Sequence, residues 1–185
     1  MIQSTNIKMN GWLTLSQSTF TQLPKWLEDA DVSQVDSLEE IFSQCTSIEE
    51  IILPNWNVEN VTSMYYGFYR CLNLTEIDIS NWYTPKLSIF HPFHYTSSLH
   101  TLKWNHFGVG KSEYVYNTVD LTSCPLGTGG EESVKALKDT FVKNSFDRVK
   151  KGWTTQSFIG FNANTMALFT EEEIAEMTAK GYTIS

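Results

Sequence analysis

The chain has 185 residues, 41% hydrophobic and 18% charged, which suits one folded domain with a sizeable core rather than a disordered segment. Its formal net charge is −8 with no Lys/Arg run, which argues against a nucleic-acid groove or an anionic-membrane patch. No segment approaches the roughly 20 apolar residues needed for membrane insertion, and 6 Trp, 8 Tyr and 11 Phe exceed ordinary core needs, so some rings are expected at the surface.

The N-terminus, Met1-Ile2-Gln3-Ser4-Thr5-Asn6-Ile7-Lys8, has no basic head followed by an apolar run, so it does not read as a secretory signal. If Met1 is the native start, the expected location is a virion or a host cytoplasm. A chain trimmed of a native signal would belong at a cell surface. Residues 1–34 carry Trp12, Leu13, Leu15, Phe20, Leu23, Trp26 and Leu27 and are expected to form an N-terminal cap. Leu27 and Val32 precede Leu53 and Val58 by the period of the repeat described next, which adds a degenerate half-repeat to that cap.

Self-comparison aligns three consecutive units, 35–60, 61–85 and 86–110, at a spacing of about 25 residues. Leu38, Met64 and Ile89 align, as do Phe42, Phe68 and Phe93, then Cys45, Cys71 and Thr96, then Ile48, Leu74 and Leu99. Ile51/Leu53, Ile77/Ile79 and Leu102/Trp104 each supply an apolar-x-apolar strand with both side chains on one face. Trp56, Trp82 and Phe107 close the units, followed by Val58, Thr84 and Val109. Such a unit cannot bury its apolar face alone, so stacking is expected to complete a continuous core, with one short parallel strand per unit.

The second unit carries a family resemblance. The stretch Asn57-Val58-Glu59-Asn60-Val61-Thr62-Ser63-Met64 followed by Phe68, Cys71, Leu74, Ile77, Ile79, Ser80 and Trp82 resembles the BspA-like leucine-rich repeat of bacterial surface proteins. The first unit matches well, and the third keeps the spacing but has Thr96 for Cys and Phe107 for Trp. The resemblance covers residues 27–126 and implies an α/β leucine-rich-repeat solenoid. The repeats proper are expected over 35–126, with 127–185 as a C-terminal capping unit of the same continuous domain.

In that last unit Val119-Asp120-Leu121 reads as a strand, and Gly127-Thr128-Gly129-Gly130 leads into a helix. Val134, Leu137, Phe141 and Val149 are spaced for one helical face, with Gly152 as the stop. Residues 154–161 read as a strand. Thr170-Glu171-Glu172-Glu173 is a capping box opening a helix with Ile174 and Met177, and Tyr182-Thr183-Ile184 is a last strand. The order is helix–strand–helix–strand. The ending Phe169 to Ile184 is similar to C-terminal segments of leucine-rich-repeat proteins from gut Bacteroidetes and their phages.

Candidate chemistry is sparse. His91-Pro92-Phe93-His94, with His100 and His106 nearby, lacks the three or four converging ligands that zinc needs, so no metal or other cofactor is expected. Cys45 and Cys71 share one repeat position and read as small buried hydrophobes. Asn55, Asn81 and Asn105 fall near strand exits, where Asn bonds turn backbone. Gly127 to Gly130 lacks the Lys-Ser/Thr of a phosphate loop, and no catalytic constellation is evident.

What remains is surface. The strand positions facing away from the core are Glu50, Ile52, Glu76, Asp78, Thr101 and Lys103, an expected ladder on the sheet face. Tyr65, Tyr66 and Tyr69 lie in the segment between strands and could form an aromatic patch or pack between units. The functional expectation is a non-enzymatic binding protein for a protein or cell-surface glycan ligand. The first setting is a phage virion or tail component recognising a host receptor or another virion protein. The alternatives are a bacterial cell-surface adhesin module, or an intracellular interaction protein acting on a host factor. A homo-oligomer stays open.

Overall fold

The computed structural model describes residues 8–12, 14–116 and 118–185, without the side chains of 8–10 and 12. Leu13 and the side chain of Trp12, expected in the N-terminal cap, lie outside this set. In chain order the elements are β1 (Lys8–Trp12), α1 (Lys25–Glu28), β2 (Asp31–Ser37), β3 (Glu50–Ile52), β4 (Ser63–Tyr65), β5 (Glu76–Asp78), β6 (Ile89–His91), β7 (Thr101–Lys103) and β8 (Thr118–Leu121). Then follow α2 (Glu131–Lys138), a π-helical turn Asp139–Lys143, β9 (Ser157–Phe161), α3 (Ala163–Met166), α4 (Glu171–Ala179) and β10 (Tyr182–Ile184).

The described strands form three small parallel sheets, ordered β1-β2-β4-β6, β3-β5-β7 and β8-β9-β10. From β2 to β7 the chain alternates between the first two sheets, so each sequence unit contributes two strands rather than the expected one. The extra strand is Ser63-Met64-Tyr65 and its equivalents. It escaped the pattern because only its central residue, Met64, is a core apolar.

Register follows the sequence period. Ile51 pairs with Ile77 and Ile77 with Leu102; Met64 pairs with Phe90, not Ile89. Ile89 is 45% exposed and Phe90 is buried. The third unit is one residue short, and the shortage falls between Phe90 and Phe93, where the earlier units have four-residue steps from Leu38 to Phe42 and Met64 to Phe68. Two left-handed positions recur on the same period: Glu40 and Tyr66, then Gln44, Arg70 and Tyr95, all with φ between 54° and 59°. At the shortened step the third unit has Pro92, whose ring excludes positive φ.

The core is continuous from Leu27 to Tyr182. Phe42, Phe68 and Phe93 stack at 5.9 and 5.4 Å, and Trp56 and Trp82 at 5.7 Å. Buried polar groups bond to the preceding unit: Trp56 Nε1 donates to the Leu27 carbonyl (2.9 Å) and Trp82 Nε1 to that of Leu53 (2.6 Å). Phe107 has no such donor, and the indole of Trp104 instead reaches the Trp82 carbonyl at 2.8 Å. Cys45 and Cys71 donate to Leu15 and Phe42 carbonyls (3.3 and 2.9 Å), and Thr96 to that of Phe68 (2.9 Å). Thr thus replaces Cys because a small donor is what the position requires. Cys124 continues the series toward the Phe93 carbonyl at 3.8 Å.

In the N-terminal region β1 pairs in parallel with β2, and Gln17 adopts the left-handed conformation of Gln44. At the other end, the Thr170 capping box forms with Glu173, and Gly181 (φ +92°) follows α4. Val149 departs from expectation: it lies beyond the helix and is exposed, because Asn144 N bonds the Asp139 carbonyl in a π-turn that ends the helix at Lys143. Asn57, Asp78 and Asp120 bond turn backbone, accepting from the N–H groups of Glu59, Ser80 and Thr122; among the described residues Asn55 and Asn81 make no such bond, and Asn105 Oδ1 accepts instead from Asn144 Nδ2.

Candidate functional site

Two outward faces present the expected site residues. On the β3-β5-β7 sheet, Glu50, Glu76 and Thr101 pair in one row and Ile52, Asp78 and Lys103 in the next. Glu50 is exposed, Ile52 is 38% exposed, and Glu76, Asp78 and Lys103 are half-buried. Lys103 Nζ sits 2.6 Å from Glu76 Oε1 and 4.0 Å from Asp78 Oδ2, which raises the lysine's pKa and ties the row together. Thr101 corrects the expectation: it is only 4% exposed. The capping helix α2 packs on β7, and the Thr101 hydroxyl bonds His100 Nδ1 at 2.9 Å. At this same edge the Thr140 hydroxyl donates to the Leu102 carbonyl (2.8 Å) and accepts from Trp104 N (3.1 Å). It stands in for a further strand and closes the sheet.

The other face lies on the β1-β2-β4-β6 sheet. Tyr65, on β4, is paired with His91 on β6. Tyr66 packs between Tyr65 (4.0 Å) and Tyr69 (4.7 Å), and His94 stacks against Tyr66 and Tyr69 at 6.5 and 6.3 Å. Tyr95 meets His94 at 4.3 Å, and the Arg70 guanidinium lies 5.4 Å from Tyr69 and 5.7 Å from Tyr95. The three tyrosines named from sequence therefore form one aromatic cluster at the surface, with Tyr65 38% and Tyr95 51% exposed. Sequence reasoning missed His91, His94, Tyr95, Arg70 and Asp120. Counting back one repeat period from His91 to Tyr65 was the available signal.

Beside the cluster the sheet is interrupted. β6 ends one hydrogen-bonded sheet and β8 begins another. Between them opens a cleft of about 280 Å³, lined by Tyr65, Tyr66, His91, His94 and Asp120 over a floor that includes Phe90 and Phe93. Asp120 Oδ1 accepts from Thr122 Oγ1 (2.6 Å) and Thr122 N (3.0 Å). Those bonds, with His94 and His91 nearby, hold its carboxyl below the usual range. Its Oδ2 stands 3.9 Å from His94 Nδ1, outside hydrogen-bond distance.

Elsewhere several ionisable groups are engaged. Glu113 is lowered by accepting from Thr155 N and Thr154 N, Asp139 by bonds from Lys143 and Lys135. The three cysteines are buried free thiols. Burial pushes Cys71 and Cys124 up to about 12 and raises Cys45. Among the described residues no group of three or more His, Cys, Asp or Glu is disposed to hold a metal ion, and no helix is long and apolar enough to cross a membrane.

The model of the family described as "Mycoplasma protein of unknown function, DUF285" matches residues 9–123. The chain therefore belongs to this family, which is associated with BspA-like surface proteins. No curated protein and no solved structure matches it.

Proposed function

We propose that this chain is a non-enzymatic attachment protein, built as a leucine-rich-repeat solenoid of BspA-like type, whose outward faces recognise a partner. The observation that carries the reading is the surface aromatic cluster. Tyr65, Tyr66, Tyr69 and Tyr95 pack against one another in tilted and edge-on contacts and on His94 yet stay partly in solvent. Contiguous exposed rings of this kind mark recognition surfaces. The non-enzymatic reading is supported by the fate of several reactive groups, since the thiols are buried and Asp139 and Glu173 serve an ion pair and a helix cap.

The setting we propose first is a phage virion or tail component that binds a host receptor or another virion protein, a reading supported by the resemblance of the ending Phe169 to Ile184. A bacterial cell-surface adhesin is the second reading, favoured by membership of a family associated with surface proteins. Antibody raised against the folded chain tests both. Labelling of intact virus particles is the expected result. Labelling of intact bacterial cells alone selects the adhesin. Signal confined to lysed cells overturns both in favour of an intracellular partner.

A further inference from the structure

We propose that the cleft between β6 and β8 is a carbohydrate site that takes one pyranose ring at a time. The inference rests on the attachment reading and names its ligand class. Two features of the cleft make demands that one chemistry meets together. The walls include Tyr65, an exposed aromatic side chain of the kind that packs against C–H groups. The polar pair His94 Nδ1 and Asp120 Oδ2 is separated by 3.9 Å, too far to bond directly. A hydroxyl bridges them from one side, accepting from a protonated Nδ1 and donating to Oδ2, and a vicinal pair of hydroxyls can donate to both atoms when Nδ1 is bare; a carboxylate, which only accepts, is repelled by Oδ2.

Asp120 is prepared for this role. Its Oδ1 is committed to Thr122, which fixes the carboxyl plane and leaves Oδ2 toward the histidine. A ligand with hydroxyls on one edge and a C–H face on the other is a pyranose. The cleft, about 280 Å³, lies below the roughly 300–1,000 Å³ of sites that enclose drug-sized ligands, which limits it to a single ring or chain end. The cleft lies beside this chain's own irregularity. The third unit lacks one residue before Phe93, and Pro92 stands where the second unit has left-handed Tyr66.

The test is saturation-transfer NMR on the full chain with methyl pyranosides of glucose, galactose, mannose and N-acetylglucosamine at about 5 mM, which reaches millimolar affinities. At least one pyranoside is expected to receive transfer, strongest at its ring C–H protons. Asp120→Asn keeps the bonds to Oδ1 and removes the Oδ2 acceptor; Tyr65→Ala removes one wall. Each is expected to weaken binding at least about tenfold, while Lys151→Gln, exposed and outside the cleft lining, leaves it unchanged. Thermal melting checks that each variant folds, and Tyr65→Ala decides if Asp120→Asn does not. Transfer to no pyranoside, or transfer that survives both substitutions, overturns the assignment. If Tyr65→Ala abolishes attachment to target cells that free sugars neither bind to nor compete for, the carbohydrate site falls and the attachment reading stands. Sugar binding that depends on both residues, in a chain that attaches to nothing, supports the site and overturns that reading.

Discussion

Phe68→Ala probes how neighbouring units depend on one another. The ring is fully buried and lies between Phe42 at 5.9 Å and Phe93 at 5.4 Å, nearly parallel to both. Truncating a buried Phe to Ala costs about 3–5 kcal/mol through lost transfer energy and the cavity left behind. Each stacked pair adds about 0.5–1.5 kcal/mol beyond burial. With rings on both faces, Phe68 belongs at the upper end, about 5 kcal/mol. Phe42→Ala breaks one of these ring pairs and is expected to cost about 1 kcal/mol less. Urea unfolding followed by Trp fluorescence measures both. For a slope of about 2 kcal/mol per molar urea, Phe68→Ala should lower the midpoint by about 2.5 M. If Phe68→Ala costs less than Phe42→Ala, or less than about 2 kcal/mol, the inter-unit stack is not a main source of stability and the reasoning fails.

Four further outcomes follow from local geometry. Gln44 is exposed at φ +59°, so Gln44→Gly should remove left-handed strain and stabilise by about 0.5–1 kcal/mol, read as a melting temperature about 1–3 °C higher. Burial raises Cys71 and Cys124 from their ordinary value of 9.0 to about 12 and also raises Tyr116 and Tyr182. Below pH 9 both folded and unfolded chains keep these thiol protons; above it only the unfolded chain releases them readily, so stability should fall between pH 9 and about 12. The native protein should also resist thiol-reactive dye at about pH 8 and expose all three cysteines on unfolding. Arg148 is buried, with Nη2 donating to the carbonyls of Glu113 (2.7 Å) and Thr155 (2.8 Å), so Arg148→Ala should cost about 3 kcal/mol. Hydrogen exchange should then rise first around residues 113 and 155.

Much of this architecture was legible because the period writes the same residue type at the same place. The Phe, Cys/Thr and Trp positions each answer one physical demand, and the backbone pairs Ile51, Ile77 and Leu102 as the alignment does. The capping box at Thr170 was legible for a local reason, since Thr and Glu three apart satisfy each other's backbone donors. The second strand of each unit was not, because Ser63-Met64-Tyr65 carries its core residue singly between polar and aromatic flanks. Nor was the burial of Thr101, which depends on where α2 lands, well beyond it in the chain. The Tyr patch was named, but its histidine and carboxylate partners come from three different strands and loops, and short-range spacing does not report such convergence.

The cleft illustrates why the irregular unit is the informative one. Where the period holds, main-chain N–H groups are answered from the next unit, as in Glu40 N to Tyr65 O, Phe42 N to Gly67 O and Gln44 N to Tyr69 O. A side chain there is constrained by its neighbours above and below. Where one residue is missing, at Pro92, the strand stops matching the next one, and β8 pairs onward with β9 instead. The period is kept in the first two units and broken at this step, and a local departure on an otherwise periodic scaffold is the pattern expected of a functional site. Stability and recognition thus occupy different residues: Phe42, Phe68 and Phe93 hold the units together, while Tyr65, His94 and Asp120 surround the gap that lies beside their imperfect succession.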